Sequence, residues 1–249
     1  MKVFLALPAY NEEKDLPALL ESFREVMGNT RRQYQAVIVD DGSRDGTPKV
    51  IEEFSSKMSI LSVCHVVNLG LGRTIQDALR KASEVGSDND VIVTMDADNT
   101  HSPGLIPQML EQIDKGYDLV IASRYRQGSK VIGLSLHRQF ISYGASALFQ
   151  LCFPIAGVRD YTCGFRAYKA EVLRAAFALY KDSLVTETGF ACMAEILLKL
   201  RKMRVKMIEV PMVLHYDLKA GTSKMKVRAT IWRTTKLIAR NLYRGPRFS

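Results

Sequence analysis

The stretch 91–103, VIVTMDADNTHSP, constrains the fold of this chain more than any other part of the sequence. Its first five residues are apolar or β-branched and predict a short buried strand. Asp96 and Asp98 follow at the carboxyl end of that strand, which is where ligands bind in open α/β sheets. Because residues i and i+2 of an extended segment point the same way, both carboxylates are expected to face one ligand.

The two carboxylates favour a divalent cation as that ligand. Neighbouring negative charges repel, and each tends to raise the pKa of the other until a cation removes the repulsion. Hard oxygen ligands of this kind suit Mg²⁺ or Mn²⁺. The alternative is that residues 96–103 form only a turn and a helix cap, and the rest of the chain has to decide between the two interpretations.

Strand and helix patterns alternate along the first half of the chain. We predict strands at 3–7, 36–39, 60–67, 91–95 and 118–122, and helices at 17–27, 49–54, 73–85 and 105–115. Thr47 and Pro48 are suited to cap and begin the second helix. This alternation, with short links, predicts an α/β fold in which helices sandwich a mostly parallel, Rossmann-like sheet.

Beyond residue 122 the alternation becomes irregular, and one uncharged run needs an interpretation. Residues 139–158 carry no charged side chain over 20 positions, which is long enough to span a bilayer. Polar residues and Pro154 dilute its hydrophobicity, so a buried or interfacial helix is the preferred interpretation. We also predict a strand at 162–168, helices at 171–179 and 190–200, and one or two strands at 205–213.

The composition is that of a globular protein, with 47% hydrophobic and 24% charged residues over 249 positions. The four cysteines show no CxxC or zinc-ligand spacing, which favours reduced thiols and a cytoplasmic location. Residues 1–13 are interpreted as a first strand rather than a signal peptide, since their apolar run is short and lacks a cleavage site.

The net charge of +9 is concentrated at the end of the chain, where residues 201–249 carry 13 basic and two acidic side chains. We expect a domain of residues 1–224, followed by a basic amphipathic helix or tail at 225–249 with Trp232 near its polar boundary. Its apolar side would hold Val227, Ile231, Ile238 and Leu242, and its basic side Arg233, Lys236, Arg240 and Arg244. The pattern predicts a helix on an anionic membrane surface, alone or while also packing on the domain.

Three further clusters are expected at the same edge of the sheet as Asp96 and Asp98. They are PAYNE (8–12), DDGS (40–43) and SRY (123–125), each directly after a predicted strand. An aromatic ring, several carboxylates, a cation and an arginine together describe a pocket for a nucleoside diphosphate. The chain has neither a P-loop nor a GxGxxG motif, which argues against Walker-type ATPases and NAD-dependent enzymes.

In order and spacing these motifs resemble those of family 2 glycosyltransferases with the GT-A fold, and among them the dolichyl- and polyprenyl-phosphate mannosyltransferases. The resemblance extends from about residue 3 to residue 224. The motifs are PAYNE (8–12), VDDGS (39–43), DGT (45–47), NLGLG (68–72), DAD (96–98), SRY (123–125), HRQFIS (137–142), RDYTCGFRAY (159–168), EVP (209–211) and GTSK (221–224). One difference is that Leu218 or Lys219 stands where the family usually has an arginine before Gly221.

The resemblance implies roles for individual residues. The donor site would contain Pro8, Tyr10, Glu12, Val39, Asp41, Asp96, Ala97, Asp98 and Lys224. The metal ligands would be Asp98 and Thr100, and the acceptor phosphate would be held by Arg124, Arg138 and Ser142. Catalysis would depend on Asp96, Asp98, Arg124 and Arg138.

By the same resemblance, the chain would be an inverting glycosyltransferase that moves mannose or another hexose to a polyprenyl phosphate. The donor would be a nucleoside-diphosphate sugar, with GDP-mannose favoured over a UDP-sugar, and the cofactor Mg²⁺ or Mn²⁺. The chain would work on the cytoplasmic face of a membrane, alone or with a separate membrane-anchoring partner, and without nucleic acid. A phosphate acceptor, with a second pKa of ~6, is already dianionic near neutrality and needs no general base.

Three alternatives stay open at this point. A family 2 transferase with a UDP-sugar donor would act on a saccharide hydroxyl, for which Asp160 or Glu187 are the candidate bases. A sugar-nucleotide pyrophosphorylase shares the sheet type but needs a Gly-rich, basic N-terminal loop that PAYNEE lacks. A non-catalytic nucleotide-binding protein would use its basic tail for interactions, but the apolar face of the tail argues against a nucleic-acid partner.

Overall fold

The computed structural model describes residues 1–219 and 227–243, with the side chains of the last helix described from Thr230 onward. The strands are β1 (Val3–Ala9), β2 (Tyr34–Asp40), β3 (Ile60–Cys64), β4 (Val91–Thr94), β5 (Leu119–Ser123), β6 (Lys130–Ile132), β7 (Arg166–Lys169), β8 (Met207–Pro211) and β9 (Val213–His215). The helices are α1 (Leu16–Gly28), α2 (Thr47–Ser55), α3 (Leu71–Val85), α4 (Ile106–Asp114), α5 (Leu136–Cys152), α6 (Ala170–Tyr180), α7 (Cys192–Lys202) and α8 (Val227–Tyr243). The GTSK motif and Arg244 lie outside the described residues.

Seven strands form one sheet in the order β3-β2-β1-β4-β7-β5-β8, and β6 pairs with β9 in a small second sheet. In the large sheet β7 runs antiparallel to β4 and β5, and the other neighbours are parallel. The central strands are almost fully buried because helices cover them: α3 packs on β1 and β2 beside α6, and α4 packs on β5 and β7. The predicted mostly parallel sheet with flanking helices is confirmed.

The register of the strands brings the predicted motifs to one edge of the sheet. Ala9 pairs with Asp40 and Ala6 with Thr94, so β1, β2 and β4 end side by side. The sequence pattern does not predict the direction of β7, which runs antiparallel to β4 and begins where β4 ends. At that point the Thr94 hydroxyl donates to the carbonyl of Gly164 at 2.7 Å. The loop before β7 therefore lies beside the carboxylates that follow β4.

Two local predictions about the first motifs need correction. Pro8 does not end the first strand but lies inside it, since β1 still pairs with β2 at that position. Thr47 does not cap α2, because Gly46 occupies the cap position. The Thr47 hydroxyl instead donates to Asp45 at 2.6 Å and accepts from the backbone N–H of Glu12 at 2.8 Å, which ties the start of α2 to the PAYNE turn.

The uncharged run at 139–158 is helical for most of its length, as α5, but it is not buried. Phe140 is 73% and Leu151 81% exposed, whereas Ser146 and Phe149 are the buried residues of this helix. The buried alternative is therefore wrong, because only one narrow side of α5 packs on the domain. No helix in residues 1–219 and 227–243 is long and apolar enough to cross a membrane.

Helix α8 forms as predicted, but it turns a different side towards the domain. Leu237 and Ile238 are buried, Arg233 lines a cleft described below, and Arg240 Nη2 lies 3.1 Å from Glu195 Oε1. The prediction that Ile238, Arg233 and Arg240 face a membrane is wrong, because Leu237 packs on the core and a buried carboxylate attracts Arg240. The exposed large apolar residues of α8 are Ile231, Trp232, Leu242 and Tyr243.

Candidate active site

Two clefts open at the edge of the sheet where β1, β2 and β4 end. The larger, of about 770 Å³, is the Asp98 cleft and contains Pro8, Tyr10, Glu12, Asp41, Ala97 and Asp98. The smaller, of about 370 Å³, is the Arg124 pocket and contains Thr100, Arg124, Arg138, Ser142 and Thr162. Asp96, Phe190, Tyr216 and Thr230 line both spaces, so the two clefts meet at these residues.

Asp98 is held in place by a turn and by a lysine. Asn99 adopts a φ of 58°, a left-handed conformation that asparagine tolerates better than most residues, and this turns the chain after β4. The Thr100 hydroxyl donates to Asp98 Oδ1 at 2.7 Å, and Lys219 Nζ donates to Oδ2. Burial acts to raise the pKa of Asp98, but the Lys219 ammonium and the Thr100 hydroxyl outweigh it and hold this pKa below its ordinary value.

Asp96 lies at the junction of the two clefts. Its backbone N–H donates to His101 Nδ1 at 3.2 Å, and its carboxylate lies close to Gly164, since a Cβ atom at position 164 would be 3.1 Å from Asp96 Oδ1. Burial raises the pKa of Asp96 above its ordinary value, against the opposing effect of His101 and with a further contribution from the charge of Asp98. The charge of Asp98 thus acts on Asp96 as expected from the sequence, whereas the expected rise in the pKa of Asp98 is not found, because Lys219 and Thr100 lower it.

Asp96 and Asp98 fit a divalent cation that shares its coordination with a bound ligand. Mg²⁺ is commonly held by one or two carboxylates together with substrate phosphates. Over the described ranges, 1–219 and 227–243, no group of three or more His, Cys, Asp or Glu side chains is placed to hold a metal ion. Thr100 gives its hydroxyl hydrogen to Asp98 and keeps oxygen lone pairs for a cation. The remaining ligands would have to come from the donor.

Asp41 supports the wall of the Asp98 cleft. Its carboxylate accepts from the backbone N–H groups of Leu69 at 2.8 Å and Gly70 at 2.9 Å, so it fixes the turn of the NLGLG motif. His65 lies between two carboxylates, with Nδ1 2.7 Å from Asp41 and Nε2 3.1 Å from Asp77. Three of the contacts that Asp41 can accept are therefore used inside the protein, and its predicted role towards a nucleoside stays a prediction.

Arg124 is gripped by a buried carboxylate. Its Nε and Nη2 atoms each donate to a different oxygen of Asp160 at 2.7 Å, while Nη1 donates to Ser142 at 3.0 Å and Nη2 also to Thr162 at 2.7 Å. Burial acts to raise the pKa of Asp160, but Arg124 outweighs it and holds this pKa below its ordinary value. The prediction of Asp160 as a general base is wrong, because it is fully buried and bound to Arg124. Glu187, the other candidate, lines neither cleft.

Glu209 of the EVP motif holds the turn that carries Asp160. Its Oε1 accepts from the backbone N–H groups of Arg159 at 2.6 Å and Asp160 at 2.5 Å. Burial raises the pKa of Glu209 above its ordinary value, although both hydrogen bonds oppose that rise. The EVP motif therefore has a positioning role: it fixes Asp160, which in turn fixes Arg124.

The lining of the Arg124 pocket combines polar and apolar side chains. Arg138 and Ser142 are both on α5, and the Ser142 hydroxyl is also 2.9 Å from the Tyr125 hydroxyl. The lining also includes the aliphatic side chains of Leu134, Ile141, Ala145, Leu148 and Ile231. The pocket is therefore suited to an amphipathic ligand with an anionic head.

Most of the predicted site residues come together, with two exceptions. Val39 is fully buried within β2 and lines neither cleft, and Lys224 lies outside the described residues. The sequence analysis missed Tyr216 and Thr230, which carry no motif, and Thr162, which the RDYTCGFRAY motif could have indicated. The roles assigned to individual residues remain predictions.

Comparison with known proteins identifies the family. A family model described as glycosyl transferase family 2 matches residues 5–177. The chain belongs to glycosyl transferase family 2. The dolichol-phosphate mannosyltransferase of Pyrococcus furiosus is 33% identical over 228 residues, which are 91% of this chain and 60% of that protein. The undecaprenyl-phosphate mannosyltransferase of Micrococcus luteus is 30% identical over 226 residues, which are 90% of this chain and 88% of that protein.

Solved structures agree with the predicted fold. The glucosyl-3-phosphoglycerate synthase of Mycobacterium tuberculosis, in complex with Mn²⁺, UDP and glucosyl-3-phosphoglycerate, matches with a TM-score of 0.65 at 19% identity, over 98% of this chain and 79% of that one. The same enzyme with Mg²⁺ and UDP gives 0.63 at 18% identity. This likeness establishes the fold alone and confirms the GT-A prediction. The predicted enzyme class, a glycosyltransferase, is confirmed at the level of the family.

The Asp160→Asn substitution tests the positioning role of Asp160. It leaves the Arg124 guanidinium, 15% exposed, without its anionic partner, and we expect a loss of about 3–5 kcal/mol in the free energy of unfolding. The loss should be present at neutral pH and shrink as the pH falls from ~4 through the lowered pKa of native Asp160, because the unfolded wild-type chain takes up a proton first and the native carboxylate follows.

Urea denaturation measures both effects, and Asp182→Asn is the matched control. Asp182 pairs with Arg80 at 2.7 Å but is 81% exposed, so its loss should change stability by less than ~1 kcal/mol. Equal effects of the two substitutions would show that the Arg124 pair is not a structural element.

Proposed function

We propose that this chain is an inverting transferase that moves a hexose from a nucleoside-diphosphate sugar to a polyprenyl phosphate. The observation that carries the proposal is the junction at Asp96, where the cleft that contains Asp98 meets a pocket with two arginines. A donor diphosphate in the Asp98 cleft and an acceptor phosphate at Arg124 would bring the sugar and its acceptor together beside Asp96.

The acceptor class is supported by the chemistry of the Arg124 pocket. Arg124, Arg138 and Ser142 would hold a phosphate, and the aliphatic side chains that line the same pocket would contact an isoprenoid chain. A phosphate monoester is itself the nucleophile, so the loss of Asp160 as a candidate base does not affect this reaction. The saccharide alternative needs a carboxylate base, and neither of its two candidates is placed to act.

The donor is inferred from the relatives. Those of P. furiosus and M. luteus are mannosyltransferases by name, which favours mannose and GDP-mannose. A UDP-sugar is the second candidate, since the M. tuberculosis neighbour was solved with UDP. The chain spans only 60% of the P. furiosus enzyme, so the activity of that whole protein is transferred here as a proposal.

The charges in the two clefts suggest how the reaction proceeds. A divalent cation at Asp98, with Thr100 beside it, would stabilise the charge that develops on the leaving diphosphate. Lys219, which donates to Asp98 in the structure, would be able to meet the diphosphate if a cation took its place at that carboxylate. Arg124, held by Asp160, orients the acceptor phosphate for attack on the opposite face of the sugar, which inverts the anomeric centre.

Two substitutions should separate the binding of the nucleoside diphosphate from the transfer of the sugar. Asp98→Ala should abolish Mn²⁺-dependent binding of nucleoside diphosphates with the fold intact, because the cation loses its principal ligand. Arg138→Gln should leave that binding unchanged and reduce transfer at least about tenfold, since charge-assisted hydrogen bonds to phosphate contribute ~1.5–3 kcal/mol. Calorimetric titration with GDP, UDP and Mn²⁺, together with a transfer assay, measures both. Unchanged binding in Asp98→Ala, or lost donor binding in Arg138→Gln, would contradict the assignment of the two clefts.

We also propose that the exposed apolar face of α5 and α8 lies on a membrane surface. The two helices contact each other and together expose Leu136, Phe140, Tyr143, Leu151, Ile231, Trp232, Leu242 and Tyr243, the α5–α8 surface. Ile231 and residues of α5 also line the Arg124 pocket, so this surface adjoins that pocket. A polyprenyl phosphate presents its headgroup at a bilayer surface, where such a face would be buried.

Vesicle sedimentation tests this arrangement. Replacing Phe140 and Trp232 by Ser should weaken binding to anionic liposomes at least about tenfold, because burying a large apolar side chain contributes ~1.5–3 kcal/mol. Leu179→Ser is the control, since Leu179 is 63% exposed on α6, outside the α5–α8 surface. Equal binding by the wild-type chain, the variant with Phe140 and Trp232 replaced, and Leu179→Ser would contradict the proposed surface.

A further inference from the structure

Arg233 of α8 reaches into the Asp98 cleft, which also contains Asp98 and Lys219. Its Nη1 atom lies 2.7 Å from the position that a Cβ atom on Gly189 would occupy. Any side chain at position 189 would therefore displace the guanidinium. The absence of a side chain at Gly189 leaves the space into which Arg233 extends.

A second arginine of α8 fixes the helix in this position. Arg240, seven residues later, places Nη2 3.1 Å from Glu195 Oε1 and 3.6 Å from Glu187 Oε1. Glu195 is buried, and it also accepts from the backbone N–H groups of Thr186 at 2.7 Å and Glu187 at 2.8 Å. One carboxylate thus holds both α8 and the loop that leads to Gly189.

Arg233 differs from Arg240 in its surroundings. Across residues 1–219 and 227–243 the structure gives Arg233 no hydrogen bond and no ion pair. Asp98, which lines the same cleft, is already paired with Lys219. A partly buried guanidinium that faces a cleft without a carboxylate partner favours an anionic ligand there, since a buried charge is costly unless it is paired.

We propose that Arg233 binds the diphosphate of the donor, which makes α8 a wall of the donor site. This inference rests on the proposed function, because it takes the nucleoside diphosphate as the occupant of the Asp98 cleft. The planar guanidinium of Arg233 can donate two parallel hydrogen bonds to phosphate oxygens, whereas Lys219 supplies only a point charge. The two cations therefore differ: Lys219 pairs with Asp98 when no ligand is bound, whereas Arg233 has no such pair among the described residues.

Titration of the full chain tests this role. With Mn²⁺ present, Arg233→Gln should weaken the binding of GDP or UDP at least about tenfold relative to the wild-type chain. The affinity for the corresponding nucleoside, measured by ligand-observed NMR, should not change, because the nucleoside carries no phosphate. Lys236→Gln is the matched control: it removes one charge from the exposed side of the same helix and should leave both affinities unchanged.

The remaining outcomes would overturn either the role of Arg233 or the proposed function. Equal diphosphate affinity in Arg233→Gln and wild type would overturn the role of Arg233 while leaving the proposed function intact. An equal loss of nucleoside and diphosphate affinity would also overturn it, because the substitution would then have altered the shape of the cleft. If the wild-type chain binds no nucleoside diphosphate with Mn²⁺, the proposed function fails and this inference fails with it.

Discussion

The buried ion pair of Arg124 and Asp160 fixes the position of Arg124, which follows β5 and lines the Arg124 pocket. Asp160 is fully buried and grips the guanidinium at two points, and Glu209 holds the turn on which Asp160 lies. Without its carboxylate, Arg124 would be a largely buried charge with no anionic partner, which proteins rarely tolerate. The pair leaves one edge of Arg124 directed at Ser142 on α5, which is where the proposed function places the acceptor phosphate.

The helices α5 and α8 each have two functions in this account. Their inner sides line the clefts, with Arg138 and Ser142 on α5 and Thr230 and Arg233 on α8. Their outer sides expose the α5–α8 surface that we assign to a membrane. Binding at the surface and binding in the clefts therefore involve the same two elements. The ion pair of Arg240 with Glu195 holds α8 against the loop that leads to Gly189.

Much of this arrangement could be predicted from the sequence because it depends on local patterns. Alternating strands and helices indicate a parallel sheet, and parallel strands bring the motifs after β1, β2 and β4 to one edge. The errors concern tertiary partners that no local pattern contains. Asp160 resembles a base until Arg124 is seen beside it, and the polar side of α8 resembles a membrane face until Glu195 is seen opposite Arg240. The antiparallel direction of β7 likewise follows from its neighbours.

The central claim is that a phosphate, and not a hydroxyl, receives the sugar. The most direct measurement is transfer from labelled GDP-mannose, or a labelled UDP-sugar, to three acceptors with Mn²⁺ present: a polyprenyl monophosphate, the free polyprenol of the same length, and a saccharide. The account predicts a labelled lipid product from the monophosphate and none from the alcohol or from a saccharide, since the Arg124 pocket holds two arginines and neither candidate base, Asp160 or Glu187, is placed to act. Transfer to the alcohol or to a saccharide at a comparable rate would contradict it.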